Sequence, residues 1–360
     1  MGSTDNRMYV WVFPVGRGNA ALIRTPLNHG FIVDMGNSED CDPATFIREN
    51  LSGALTPFTD PAGNAFPIAQ AVLSHQHSDH IGQCAELIAD DKVLYPYFLT
   101  CPHDLDVAPA DDEKLNWGRV VNPAGSDDLV TQYKELYKDR TPPLQSVPCA
   151  VDATCDDLEY GIFYVRPPHC ESIHESDDNA YGNATSIVVY FRYGDDTILF
   201  PGDITPEAMQ LLLDDAEQVE KRYTVFGEGA MPDDWSKMTV DQPGLRSLLE
   251  DQGLSVLVAP HHGLESCYSQ ELYDAMKDGA PQLVVISEKK HLNDNDGSLA
   301  TQYQSDAGAL GLNVDVGGTV EKRRSVSTVD GHHVLIVFDG QGTPEVHLAA
   351  DPDDLLPYWN

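Results

Sequence analysis

Basic side chains, long hydrophobic runs and closely spaced cysteines are all scarce in this sequence of 360 residues. Lysine and arginine together number 22, against 58 aspartates and glutamates, which gives a formal net charge of −36. At low salt such a surface repels polyanions, which argues against tight, sequence-independent binding of nucleic acid. Salt screens this repulsion within a few ångströms, so the acidity is typical of a solvated surface in a saline cytoplasm.

The absence of long hydrophobic runs and of closely spaced cysteine pairs argues against a membrane-spanning protein and against a disulfide-rich one. No apolar run approaches the ~20 residues of a membrane span, and the N-terminus has no basic region followed by a long apolar stretch. We therefore expect a cytoplasmic protein with no membrane partner. The cysteines are odd in number, scattered and without CxxC spacing, which argues against a disulfide framework and against a thiolate zinc site. They are Cys41, Cys84, Cys101, Cys149, Cys155, Cys170 and Cys267.

Hydrophobic periodicity predicts mixed strands and helices in one α/β domain spanning residues 1–360. Residues 101–160, rich in Asp, Pro and Cys, are predicted to be an insertion with a helix at 127–138. Strands are predicted within 8–35, 68–75, 161–168, 185–194, 196–203, 254–260 and 281–287, and a hairpin over 323–340 with its turn near Asp330. Helices are predicted over 42–52, 81–90, 206–220, 243–252, 269–278 and 298–310.

The segment SHQHSDH, residues 74–80, carries the strongest chemical signal. In an extended turn after a strand, alternate side chains point the same way, so His75, His77 and Asp79 can converge, with His80 beginning the next helix. Imidazoles and a carboxylate suit zinc, manganese or iron, and four ligands in one loop suit two adjacent ions. The pattern H-x-H-x-D-H arises by chance in roughly two of a thousand chains of this composition, so a merely solvated histidine-rich turn is the weaker interpretation.

Three later positions and one earlier position end buried strands and can complete such a site. Asp203 can bridge two metals, although an aspartate there also suits a helix N-cap. His261 and His262 precede Gly263, which permits close backbone approach; a polar strand exit is the alternative. Asp34 can orient a metal-bound histidine through a hydrogen bond.

This ordered set of motifs resembles the metallo-β-lactamase-fold hydrolases over most of the chain. The likeness is greatest to one subgroup, the soluble hydrolase domain of the DNA-uptake competence protein ComEC. Its motifs correspond here to VGRGNAALI (15–23), IVDMG (32–36), the H-x-H-x-D-H stretch, the N-x-x-S of 183–186, GD (202–203), HHG (261–263) and, more loosely, the T-x-x-G of 328–331.

The resemblance implies a four-layer αββα sandwich with an insertion, and a dinuclear metal site. It implies that His75, His77 and Asp203 hold one ion, and that Asp79, His80, Asp203 and His262 hold the other. Most members carry a third histidine where this chain has Asn183, but the subgroup shows asparagine there too. Because an amide oxygen is a poor zinc ligand, manganese remains an alternative, and His169 or His174 in the preceding loop can substitute.

We therefore expect a hydrolase whose nucleophile is a hydroxide bridging two divalent ions, zinc before manganese, with Asp79 and His262 as catalytic residues. The resemblance points to phosphodiesters, either nucleic-acid strands or small nucleotides. The surface charge favours a compact anionic substrate. Lys289, Lys290 and His291 can contact it, although a solvated basic patch explains them equally simply. Two alternatives remain open: a hydrolase of lactams or thioesters, and a non-catalytic, metal-stabilised partner module.

Overall fold

The structure is a computed structural model that describes residues 6–59, 63–89, 91–102, 132, 158–174, 177–226, 243–288, 303 and 309–360. Most of the predicted insertion, the helix expected at 127–138 and nearly all of that expected at 298–310 lie outside the described residues. The same holds for Lys289, Lys290 and His291.

Strands predominate in the described ranges, and their bounds follow in chain order. They are β1 (Met8–Val12), β2 (Ala20–Arg24), β3 (Gly30–Met35), β4 (Phe58–Thr59), β5 (Ala65–Phe66), β6 (Ile68–Val72), β7 (Pro96–Thr100), β8 (Leu158–Val165), β9 (Val188–Tyr193), β10 (Asp196–Phe200), β11 (Val219–Phe226), β12 (Val256–Val258), β13 (Leu283–Ile286), β14 (Leu312–Val316), β15 (Thr319–Arg323), β16 (Ser325–Ser327), β17 (His333–Phe338) and β18 (Glu345–Ala349).

The helices of the described residues are short. The α-helices are α1 (Pro43–Phe46), α2 (Ser78–Ile81), α3 (Pro167–Ile173), α4 (Asp178–Ala184), α5 (Pro206–Leu213), α6 (Leu245–Gln252), α7 (Gln270–Asp274) and α8 (Leu356–Trp359). A π-helical turn spans Ile47–Leu51, and 3₁₀ turns span Ser52–Ala54, Cys84–Ile88, Pro260–Gly263, Glu265–Cys267, Val329–Gly331 and Pro352–Asp354.

Two large sheets face each other across the central core. One has nine strands in the order β15-β14-β18-β17-β1-β2-β3-β6-β7, and the other has seven in the order β11-β8-β9-β10-β12-β13-β16. Strand β1 explains how both faces of a sheet are buried: Val10 and Val12 point into the core shared with the second sheet, whereas Tyr9 and Trp11 point outward into a separate cluster. A run that is apolar on both faces is typical of a strand covered on both sides.

Helices cover the outer face of each sheet. The outward cluster of the nine-stranded sheet includes Ala44 of α1 and Trp359 of α8, and that of the seven-stranded sheet includes Ala208 of α5 and Leu249 of α6. The order of layers is therefore helix, sheet, sheet, helix, and the predicted αββα sandwich is confirmed. Almost every strand residue is buried in the core, so strand ends and the loops that follow them are what remains to form a site.

Four of the predicted elements are wrong. The helix predicted over 206–220 ends at Leu213, and the residues from Val219 onward form β11, paired antiparallel with β8. No hairpin forms over 323–340, because β16 pairs with β13 in one sheet while β17 pairs with β1 in the other. The helix predicted over 81–90 is only a 3₁₀ turn, and the predicted insertion extends too far, since β8 begins at Leu158. Local pattern misses these cases because sheet pairing decides them.

The cysteines within the described ranges are all buried: Cys41, Cys84, Cys101, Cys170 and Cys267. None of the helices described is long and apolar enough to cross a membrane.

Candidate metal centre

The residues singled out in the sequence gather where strands of both sheets end. Strands β3 and β6 run parallel in one sheet, and β10 and β12 run parallel in the other, so the carboxyl ends of each pair share an edge. The backbone ties the two edges together: the Ile187 amide donates to the Ser74 carbonyl at 2.8 Å, and the His261 amide donates to the Gly202 carbonyl at 3.1 Å. Loops that follow the four strands therefore meet at one rim of the sandwich.

The loop after β6 and the short helix α2 that follows it supply three buried imidazoles and one half-buried carboxylate. His75 and His80 are almost fully buried, His77 is 9% exposed, and the Asp79 side chain is 34% exposed. Glycines fix this loop from outside: a Cβ on Gly18 or Gly36 would lie 2.1 or 2.0 Å from the Asp79 carbonyl oxygen. Only glycine permits that approach.

Asp34, the penultimate residue of β3, holds the segment from Ser74 to His80 in place through its carboxylate. Its Oδ1 accepts the Ser74 amide at 2.6 Å, and its Oδ2 accepts the Ser74 hydroxyl at 2.9 Å. The same Oδ2 lies 2.8 Å from Nδ1 of His80 and accepts the Asn19 amide at 3.3 Å. Because Nδ1 of His80 faces this carboxylate, Nε2 is turned towards the rim, the arrangement expected where a carboxylate orients a metal-binding histidine.

Asp203, just beyond β10, lies at the centre of the cluster. Its Oδ1 is 3.1 Å from Nε2 of His80, and its Oδ2 is 3.3 Å from Nε2 of His262 and 3.8 Å from Nε2 of His75. Nε2 of His262 also lies 3.4 Å from Oδ2 of Asp79. The contacts divide into two groups that share the one carboxylate. They are His75, His77 and Asp203, and Asp79, His80, Asp203 and His262, with the donor atoms of each group within 4.8 Å of one another.

The ring nitrogens that face this centre have no hydrogen-bond partner. Nε2 of His75, His77, His80 and His262 is buried without one, and so is Oδ1 of Asn183. Buried polar atoms in proteins are rarely left unpaired, so four such imidazole nitrogens grouped around one carboxylate indicate a site that binds a ligand. Two nearby groups, each offering imidazole nitrogen and carboxylate oxygen, fit divalent ions of the zinc or manganese type.

Backbone packing leaves room for such a ligand beside His77. A Cβ on Gly182, in α4, would lie 2.4 Å from Nε2 of His77. A residue of any other type would therefore fill the space in front of this nitrogen.

The same contacts move the pKa values of the cluster in opposite directions. Burial, together with the neighbouring imidazoles of His80 and His77, holds the pKa of His75 well below its usual value. Burial also lowers the pKa of His262, but attraction to the carboxylates of Asp203 and Asp79 outweighs it and raises that pKa to about 9. Burial likewise opposes ionisation of Asp203, yet the surrounding imidazoles keep its pKa well below the usual value. Protons and cations therefore compete for the same atoms.

His261 and His262 occupy a strained turn after β12. Both have left-handed backbone conformations, with φ of 48° and 57°, and Asp34 has φ of 60°. Such conformations are uncommon outside glycine and concentrate at functional sites. The Gly18 amide donates to Nδ1 of His262 at 3.1 Å, which leaves Nε2 facing Asp203. Nε2 of His261 lies 3.6 Å from Oδ2 of Asp203, and its Nδ1 lies 2.9 Å from Sγ of Cys267.

The loop histidines considered as substitutes lie outside both groups. His169 is half-buried on α3, and His174, at the end of that helix, places Nε2 3.1 Å from the hydroxyl of Thr205. Asn183, at the last turn of α4, is 6% exposed and carries the unpaired oxygen noted above. Its neighbour in sequence, Gly182, is the residue whose backbone approaches His77.

Sequence reasoning missed the side chains that position the ligands. Ser74 contacts Asp34 and lies 3.1 and 3.2 Å from Nδ1 of His75 and His80. Ser186 accepts the Asp203 amide on its hydroxyl at 3.1 Å. A signal existed for both, since Ser74 directly precedes the first histidine and Ser186 ends the N-x-x-S motif.

No family model and no curated protein matches the chain. Among solved structures, it is similar to the metallo-beta-lactamase fold protein YhfI from Bacillus subtilis, with 12% sequence identity and a TM-score of 0.34. That match covers 80% of this chain and 90% of the other. At this level of similarity, the four-layer architecture is established by the strand order and layers of this chain themselves.

Proposed function

We propose that this chain is a metal-dependent hydrolase of the metallo-β-lactamase superfamily that cleaves phosphodiesters. The observation that carries the proposal is the pair of His/Asp groups sharing Asp203, with four imidazole nitrogens buried and unpaired around it. A purely structural site is normally closed by its ligands, whereas Asp79 stays one-third exposed at the rim. The cluster is therefore accessible from solvent on one side.

Each residue of the cluster takes a distinct role in this proposal. His75, His77 and Asp203 would hold one divalent ion, and Asp79, His80, Asp203 and His262 would hold the second. Divalent ions held this way lower the pKa of water to about 7 and neutralise charge that develops on the substrate.

The chain itself supplies orientation and proton handling. Asp34 fixes His80 through its Nδ1, and the Gly18 amide fixes His262 through its Nδ1. Asp79, the most exposed carboxylate of the cluster, accepts a hydrogen bond from the attacking water and orients it. Asn183 stands where the resemblance implies a histidine in most members, which would leave the first group poorer in imidazole and favour a harder ion such as manganese there.

Two observations favour a compact phosphodiester as the substrate. The ordered motifs around the cluster resemble those of the soluble hydrolase domain of ComEC. The net charge of −36 opposes long polyanions at low salt, which favours a small nucleotide or a strand end over an extended strand.

The test uses one protein preparation, divided and loaded with either zinc or manganese. Each half is assayed for hydrolysis of bis(p-nitrophenyl) phosphate, a chromogenic lactam and a chromogenic thioester. We expect metal-dependent cleavage of the phosphodiester, loss of that activity in His77→Ala, and retention in His29→Ala, which removes an imidazole outside the cluster. Cleavage of only the lactam or the thioester would assign a different substrate class. Stoichiometric metal without turnover of any substrate would instead favour the non-catalytic partner module.

A further inference from the structure

His261 is an imidazole of the rim that belongs to neither group of candidate ligands. Its side chain is 24% exposed, whereas those of His80 and His262 are 1% and 6% exposed. Nε2 of His261 lies 3.6 Å from Oδ2 of Asp203, the carboxylate that both groups share. A ring nitrogen that borders both the cluster and the solvent lies where an entering substrate meets the chain.

The backbone of His261 is held on both sides. Its amide donates to the Gly202 carbonyl at 3.1 Å, and its carbonyl accepts the Leu264 amide at 3.0 Å. The residue has a left-handed conformation, with φ of 48° and ψ of 50°. A conformation this uncommon outside glycine persists only where the surrounding structure enforces it. The fold therefore fixes where the imidazole leaves the backbone.

The thiol of Cys267 determines which nitrogen of this ring carries the hydrogen. Sγ of Cys267 lies 2.9 Å from Nδ1 of His261, and the residue is only 5% exposed. Burial raises the pKa of the Cys267 thiol to about 12, so the sulfur keeps its hydrogen at neutral pH and can donate it to Nδ1. A neutral imidazole that accepts at Nδ1 carries its own hydrogen on Nε2. Nε2 is then a hydrogen-bond donor, which suits an anionic oxygen better than a metal ion.

We propose that His261 is a substrate-binding residue whose Nε2–H donates to a non-bridging oxygen of the phosphoryl group, while the Cys267 thiol orients its ring. The inference deepens the proposed phosphodiester hydrolysis and rests on it. Phosphoryl oxygens form strong hydrogen bonds and carry the charge that develops when the diester is attacked. A donor that is already in place stabilises this charge without reorganisation.

The experiment uses the full-length, zinc-loaded protein. It compares His261→Met, which removes the donor, with His261→Gln, whose side-chain amide restores an N–H group. Each protein is measured for zinc content, for affinity towards inorganic phosphate by titration calorimetry, and for kcat/KM on bis(p-nitrophenyl) phosphate. His29→Met is the matched control, because His29 belongs to neither group of candidate ligands.

We expect the zinc content to be unchanged in all of these variants. His261→Met should weaken phosphate binding and lower kcat/KM by about 10- to 100-fold, because a hydrogen bond to a charged oxygen is lost. His261→Gln should recover most of both, and His29→Met should match the wild type. Cys267→Ala should also weaken phosphate binding, and Cys267→Ser, which keeps a donor for Nδ1, should restore it.

Four results would overturn the inference. They are a wild type without affinity for phosphate, loss of zinc in His261→Met, unchanged phosphate affinity in that variant, and a His261→Gln that binds phosphate no better than it. Loss of zinc would make His261 a metal ligand instead. Far-ultraviolet circular dichroism identifies variants that remain folded. Cys267→Ala leaves the strained turn unmodified, so it decides the question if the substitutions of His261 unfold the chain.

The proposed function and this inference can fail separately. A wild type that binds phosphate but hydrolyses no substrate would refute the proposed function, and the phosphate affinities would still test the donor. A wild type that hydrolyses the phosphodiester, with kcat/KM and phosphate affinity unchanged in His261→Met, would refute only the role of His261.

Discussion

Asp34→Asn tests how the rim cluster is held together, because it changes charge and hydrogen bonding while keeping shape. Asn tolerates the left-handed backbone at this position, where φ is 60°. The carboxylate accepts four contacts: the Ser74 amide on Oδ1, and the Ser74 hydroxyl, the Asn19 amide and Nδ1 of His80 on Oδ2. An Asn side chain must place its NH₂ group against one of these two sets of donors.

The expected cost follows from the lost contacts. If the NH₂ group replaces Oδ2, it faces Nδ1 of His80; if it replaces Oδ1, it faces the Ser74 amide. A lost hydrogen bond to a charged, buried acceptor costs about 1.5–3 kcal/mol of unfolding free energy. Loss of the residue that orients a ligand lowers metal affinity about 10- to 100-fold, equivalent to about 1.4–2.7 kcal/mol of binding free energy.

The assay is competition for Zn²⁺ with a chromophoric chelator, combined with urea unfolding of the metal-free protein. Asp42→Asn is the matched control: Asp42 is exposed, accepts the Thr45 amide at the start of α1, and belongs to neither group of candidate ligands. We expect its chelator curve to match that of the wild type. If Asp34→Asn also matched the wild type while Asp203→Asn lost metal, the role assigned to Asp34 would be refuted.

Three further predictions follow from single contacts. Gly182→Ala should abolish metal binding next to His77 without unfolding the chain, because its Cβ would lie 2.4 Å from Nε2; metal analysis and circular dichroism test this. Metal affinity should rise about tenfold per pH unit for each proton displaced, up to about pH 9, because neighbouring carboxylates outweigh burial and raise the pKa of His262 to about 9 in the metal-free protein. Acid should destabilise the core through His333, which accepts the indole N–H of Trp11. Burial lowers the pKa of His333 from 6.5 to about 4. About 3 kcal/mol of unfolding free energy should therefore be lost as the pH falls from 6.5 to 4.

Each of these has a clear contrary result. Wild-type metal content in Gly182→Ala would contradict the packing argument. Gly53→Ala serves as the control, because a Cβ at Gly53 meets no other atom within 4 Å. A metal affinity independent of pH between 6 and 9 would contradict the displaced proton. For the core, urea titrations should show a smaller acid loss in His333→Gln than in the wild type, and equal losses would exclude His333 as the cause. The sign is fixed because the unfolded chain binds the proton more readily than the folded one in this range.

The sequence by itself determined the composition of the candidate site. The spacing of SHQHSDH, the polar residues that follow buried strands, and the resemblance of the ordered motifs to a known hydrolase family together predicted His75, His77, Asp79, His80, Asp203 and His262. This works because a strand end fixes where the next side chains emerge, and those residues lie within eight positions of one. The same reasoning predicted the core strands, since β1 is a continuous apolar run and β10 ends in one.

Only the tertiary structure decided how these residues are supported. Ser74 and Ser186 are ordinary residues locally, and they become supports because strands of two different sheets end side by side. The turn near Asp330 had suggested that β17 folds back onto β16. Instead, β16 pairs with β13 in one sheet and β17 pairs with β1 in the other. Pairing between distant strands is a property of the assembled layers, and no window of neighbouring residues contains it. The opposing Asp315 and His347 illustrate the same point: they are 32 positions apart in sequence and become neighbours only through the register of β14 and β18.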